Sequence, residues 1–126
     1  MQFKDAYKST KYIIFGGFAD KPWKSSRGVC CESNKAFLFS LKGPSSEVGL
    51  TKMRINQSEC LLAMFHWSSY GPIFGNDLFI SSDANGNSDS CSNIGNTYEL
   101  PPGQTNTFLV GTEYFKVSEI EVFQII

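Results

Sequence analysis

The chain has 126 residues, 14% of them aromatic with 11 Phe, and a formal net charge of −1 at pH 7. That length suits one domain with a real core, the aromatic content excludes a disordered chain, and the near-neutral charge gives no bulk field for nucleic acid or an anionic membrane. The balance hides an asymmetry, since residues 1–54 hold ten Lys/Arg against four Asp/Glu and residues 55–126 hold one against eight. Interleaved halves would cancel, which is the expectation. Separated halves would leave a dipolar surface suited to a charged protein partner.

In chain order, residues 3–8 (FKDAYK) offer a helical turn too short to stand alone. YIIFGGF (12–18) is a continuous apolar run and reads as a strand buried on both faces. Cys30 and Cys31 follow Arg27 in an expected loop. KAFLFSLKG (35–43) alternates, with Phe37, Phe39 and Leu41 on one face and Ala36, Leu38 and Ser40 on the other. LTKMRIN (50–56) alternates more weakly and reads as an outer strand. CLLAMFHW (60–67) is apolar throughout and reads as a central strand. DLFISS (77–82), NTFLVG (106–111) and VSEIEVFQII (117–126) complete about seven strands. Glycine- and proline-rich turns between them predict a mainly β fold, a two-layer antiparallel β-sandwich with little helix.

MQFKDAYKST lacks the apolar core of a secretory leader, and no run reaches the roughly 18 apolar residues of a membrane span. A cytoplasmic protein with no membrane insertion is therefore expected. The four cysteines, Cys30, Cys31, Cys60 and Cys91, show no C-x-x-C spacing and no neighbouring histidine, so no zinc and no cofactor are expected.

DANGNSDS (83–90) places oxygen-bearing side chains at Asp83, Asn85, Asn87 and Asp89, every second position. An EF-hand loop needs glycine at position 6 and a bidentate Glu at 12. Counted from Asp83, glycine falls at position 4 and position 12 is Ile94. A structured turn built from side-chain-to-backbone hydrogen bonds is the better reading, with calcium as the alternative. His66, the single histidine, lies in an apolar run beside Trp67 and reads as packed or at a rim. Glu119 and Glu121 share one strand face and read as a solvated or ion-paired face, although two carboxylates roughly 5–7 Å apart could serve glycosidic chemistry. The vicinal Cys30–Cys31 pair could carry a redox role beside Arg27. Lys21, Trp23, Lys24 and Arg27 lack a sheet platform for single-stranded nucleic acid, and no partner of that class is expected.

Four blocks then fall in register. FGGFADKPWKSS (15–26), KAFLFSL (35–41), YGPIFGNDLFISSDANGNSDSCSNIGNTYE (70–99) and FLVGTEYFKVSEIEVFQI (108–125) resemble the TLDc domain family. The matching residues are Gly16, Gly17, Trp23, Phe37, Phe39, Gly75, Cys91, Gly95, Glu121 and Phe123. The S-Y-G-P-x-F-G and I-E-V-F-Q forms resemble the family's amoeba, ciliate or cnidarian branch. The resemblance covers the chain from Tyr12 onward, with residues 1–11 as a short lead. Phe123 stands where the family has a closing Trp, and the family's leading strand, helix and Cys-Asp-x-x-Gly-Pro-Thr segment have no counterpart. Part of an apolar face and one sheet edge should therefore be bare and open to self-association, unless the sequence is a fragment, residues 1–11 compensate or a partner fills the gap. The resemblance implies that Gly16–Gly17 serves close packing or a bulge, that Trp23 anchors its loop, and that 83–95 crosses the sandwich. It also implies a cytoplasmic, non-catalytic protein-interaction domain linked to oxidative-stress protection and to subunits of the vacuolar proton-pumping ATPase. The alternatives are a calcium-responsive adaptor through 83–89 and a thiol-based antioxidant enzyme.

Overall fold

The computed structural model describes residues 2–5, 13–23, 27–44 and 49–124, with backbone alone for 2–5 and 27. Its strands are β1 (Gln2–Asp5), β2 (Ile13–Phe18), β3 (Arg27–Cys31), β4 (Phe37–Lys42), β5 (Thr51–Arg54), β6 (Met64–Trp67), β7 (Ile73–Phe74), β8 (Leu78–Phe79), β9 (Ser90–Ser92), β10 (Tyr114–Phe115) and β11 (Val117–Glu121). Sheet A runs β11-β1-β2-β4-β5 and sheet B runs β10-β9-β8-β7-β6-β3, with every pairing antiparallel. The predicted mainly β sandwich is the observed fold.

Period-two alternation sets the layers. In β2, Ile13, Phe15 and Gly17 are buried beside half-buried Ile14 and Phe18. In β4, Leu38 and Ser40 are buried while Phe37 and Phe39 stay half-buried. The inward set meets Met64, Phe74, Leu78, Ile80, Ile94, Tyr98, Leu109, Phe115 and Val117 in one core. Phe15 of sheet A and Phe115 of sheet B cross edge-to-face at 5.5 Å between ring centroids. Burying each such ring contributes about 1.5–3 kcal/mol.

Glycine appears where a side chain cannot fit. A Cβ on Gly17 would lie 2.5 Å from the Phe74 ring, and Phe74 has no exposed surface through which to retreat. The packing role expected for the glycine pair falls to Gly17. Gly16 pairs with Phe39 on the opposite face.

Several sequence expectations give way. The helical turn expected over 3–8 is a strand over Gln2–Asp5, and positions 6–8 lie outside the described residues. Pairing to β2 on one side and β11 on the other supplies backbone partners that a one-turn helix lacks. Cys30 and Cys31 lie in strand β3, an edge of sheet B, and not in a loop. Gln57–Leu62 forms a 3-10 helix, so the apolar run 60–67 is strand only from Met64. Asn56 caps that helix, its Oδ1 accepting from the Ser58 backbone N–H at 3.3 Å and from Ser58 Oγ at 3.0 Å. NTFLVG is a turn with Phe108, Leu109 and Val110 buried, closed by the Gly111 N–H on the Thr107 carbonyl, and not a strand. Only Leu78–Phe79 of DLFISS is strand.

The two halves of the chain do not interleave as expected. Four of the five sheet A strands come from the first half, and five of the six sheet B strands from the second. Lys42, Lys52 and Arg54 therefore lie on sheet A, with Glu119 and Glu121 of β11, while Asp77, Asp83, Asp89 and Glu113 lie in or beside sheet B. The cause is topological: β6 to β10 form a meander, which fills one layer with one stretch of chain.

Candidate functional site

The outer face of sheet A carries a groove of about 710 Å³, lined by the Gly17–Trp23 segment, Phe37, Phe39, Val122, Phe123 and Gln124. Its aromatic wall follows from register. Phe18 pairs with Phe37 across β2 and β4, and the two rings stack at 5.1 Å, 23° apart. Phe39 lies two residues along the same face, 6.3 Å from Phe37. Val122 and Phe123, just past β11, are 70% and 62% exposed. Large apolar side chains left in water at a concave site are the physical signature of a binding surface.

The rim is held by a buried serine. Ser33 Oγ donates to Asp20 Oδ1 at 2.6 Å and accepts the backbone N–H groups of Lys35 and Ala36, while its own N–H donates to the Cys60 carbonyl. The Lys21 ammonium donates to the Glu32 carbonyl. Trp23 is wedged edge-on against His66 at 5.4 Å and Phe74 at 5.3 Å. Residues 24–26, the loop that the resemblance has Trp23 anchor, lie outside the described residues. His66 is buried in the same contact, which fits the packed reading.

Sheet B presents a second apolar outer face. Cross-strand register aligns Cys30, Phe65, Ile73, Phe79, Cys91 and Tyr114 in one row over all six strands. Phe65, Trp67, Tyr70 and Phe79 continue it as successive ring contacts of 5.6, 5.3 and 5.1 Å.

The most elaborate polar arrangement is one that sequence reasoning missed. Asp77 is buried, and its carboxylate accepts four consecutive backbone N–H groups: Gly95 at 3.1 Å, Asn96 at 3.2 Å and Tyr98 at 2.9 Å on Oδ2, and Thr97 at 2.7 Å on Oδ1. Burial lifts this carboxyl above the ordinary aspartate range, and the four amides oppose the lift. The segment so gathered joins the sheets. Asn56 N–H donates to the Thr97 carbonyl, Glu99 N–H to the Arg54 carbonyl, and Tyr98 Oη to the Ala63 carbonyl at 2.6 Å. Burial raises the Tyr98 phenol far above its usual range, so it stays a neutral donor. The signal available in the sequence was a lone acid between FGN and the apolar LFI, because an aspartate is rarely fully buried without partners. Gly75 of the family motif turns the chain just ahead of it at φ 56°, with Thr97 filling the space a Cβ would take. Gly95 supplies one of the four amides.

The loop 83–89 closes on itself. Asn87 Oδ1 accepts from Ser81 Oγ at 2.7 Å and from the Asp89 N–H at 3.1 Å, and its Nδ2 donates to the Ser82 carbonyl. The Gly86 N–H donates to the Asp83 carbonyl, with Asp83 at φ 55°. Asp83, Asn85 and Asp89 are exposed around this hub. Among the described residues, no group of three or more His, Cys, Asp or Glu is placed to hold a metal.

Cys30 and Cys31 are successive strand residues, so their side chains leave opposite faces of sheet B. Cys91 lies between Phe79 and Tyr114, and burial with the nearby Glu113 charge pushes its thiol up, away from the thiolate. Glu119 and Glu121 pair with Lys4 and Gln2 on β1, which places both acids on the outer face of sheet A, the face that carries Phe39. No described helix is long and apolar enough to cross a membrane.

A family model described as the TLDc domain matches residues 6–126. No curated protein and no solved structure matches the chain.

Proposed function

The chain belongs to the TLDc domain family, and from that premise we propose that it works as a non-catalytic docking module in the cytoplasm that binds a protein partner. TLDc domains are generally non-catalytic interaction domains. The observation that carries the reading is the pair of apolar outer faces, above all the aromatic groove bounded by Phe18, Phe37, Phe39 and Phe123. Two of the groups that chemistry would need are engaged in holding the fold, and the thiols are kept apart. Asp77 is committed to four amides, His66 is packed under Trp23, and the vicinal thiols point to opposite faces.

The family resemblance directs the choice of partner to subunits of the vacuolar proton-pumping ATPase, and the role to protection against oxidative damage. The test is a pull-down from cell extract with the parent chain and with a Phe39→Ser, Phe123→Ser variant. Both rings are partly or largely exposed, so the fold should tolerate the change. ATPase subunits recovered by the parent and lost from the variant support the reading. Repeated extracts without a pump subunit remove that partner, and equal recovery by both proteins removes the groove.

A further inference from the structure

We propose that the groove and the cationic strip beside it form one docking site for an acidic segment of a partner protein that also bears apolar side chains. This rests on the interaction-module reading and names the chemistry of the partner. A second concavity, of about 530 Å³, adjoins the groove and shares Phe37 with it. Lys35, Lys52 and Arg54 line it, with Glu99 on its wall.

Strand register makes the two a unit. Phe37 pairs with Arg54 and Phe39 with Lys52, and directly opposed residues of an antiparallel pair share a face. Each outward ring of β4 therefore has a cation beside it on β5. The Lys52 ammonium lies 4.1 Å from the centre of the Phe37 ring. Among the described residues none of the three cations is ion-paired. With Glu99 as the one carboxylate among these lining residues, the wall keeps an excess of positive charge. An arriving carboxylate gains charge-assisted hydrogen bonds from Arg54 without displacing a resident acid. An apolar side chain near it on the same segment reaches the Phe37–Phe39 wall.

An anionic lipid surface fits this face less well. The site is concave, and Glu121 on the same face, with Asp20 at the rim, would meet lipid headgroups with charge of the same sign. A flexible segment can lie in the concavity and keep its acids over β5.

The test is selection of a random displayed-peptide library on the full chain, with a Lys52→Glu, Arg54→Glu variant as counter-target. Both side chains are exposed on an edge strand, and circular dichroism with thermal melting checks that the variant folds. The expected peptides pair Asp or Glu with aromatic or aliphatic residues. They bind the variant at least tenfold more weakly, and binding falls with added salt. Neutral or basic peptides, equal binding to the variant, or no enrichment would overturn the proposal. So would sedimentation with phosphatidylserine vesicles, or a dimer abolished by the variant, where no acidic peptide is recovered. If pull-down fails with the Phe39→Ser, Phe123→Ser variant yet is unchanged by Lys52→Glu, Arg54→Glu, the docking face stands and the acidic partner falls.

Discussion

Replacing Asp77 should cost more stability than any change on the surface. Asp77→Ala leaves four backbone N–H groups without their acceptor. Those of Thr97 and Tyr98 are buried, and those of Gly95 and Asn96 can reach water. A buried unsatisfied donor costs about 1–3 kcal/mol, so the two inner amides alone account for about 2–6 kcal/mol. Relief from burying the carboxyl offsets part of that, and we expect a net loss of about 3 kcal/mol. With a urea dependence of about 2 kcal/mol per M, the unfolding midpoint should fall by about 1.5 M. Asp77→Asn separates the contributions. Its one carbonyl oxygen can take the Oδ2 place and keep three donors, which turns its NH2 toward the Thr97 N–H. We expect about half the loss of the alanine variant. The pH dependence has a definite sign. The folded carboxyl holds its proton more tightly than the unfolded chain does, so its contribution is fully present below the ordinary value of 3.8 and lost as pH rises through the lifted value. The stability gap between parent and Asp77→Asn should therefore widen from about pH 7 to about pH 4. An alanine loss under about 1 kcal/mol, equal losses for the two variants, or a gap that narrows in acid would refute the reasoning.

Gly17→Ala should lower the melting midpoint by the equivalent of about 1–3 kcal/mol of overpacking against Phe74, although alanine is the better strand residue; an unchanged or raised midpoint would contradict the packing account. In alkylation at neutral pH followed by peptide mass spectrometry, exposed Cys30 should label before Cys91, whose thiol is pushed up, and the reverse order would contradict the placement of Cys91. Cys30→Ser and Cys31→Ser proteins should consume peroxide as the parent does, and a large drop would restore the thiol enzyme. Asn87→Ala should destabilise by about 1–2 kcal/mol, because Ser81 Oγ and the Asp89 N–H lose their acceptor. Millimolar calcium should leave the parent's melting midpoint in place, whereas a ligand that binds only the native state would raise it.

Local pattern carried far in this chain. Alternation in KAFLFSLKG put Phe37, Phe39 and Leu41 opposite Leu38 and Ser40, and β4 keeps that division because side-chain direction in a strand depends on the residue's own backbone. The packing tasks of Gly16–Gly17 and Trp23 were legible only through the family resemblance, and of the glycine pair it is Gly17 that meets Phe74. The same pattern could not say which face was inward, and the more aromatic one turned out to face solvent. It also missed β3, whose Arg27–Cys31 stretch becomes a strand only because β6 pairs with it. The Asp77 cradle joins residues 18 to 21 positions apart. The cationic strip acquires meaning only when β5 pairs beside the rings of β4. Residue type and spacing set the extension of segments such as β2, β4 and β5. Which layer each strand joined, and hence which charges came together, rested on long-range pairing, whose energy exists only after distant stretches have met.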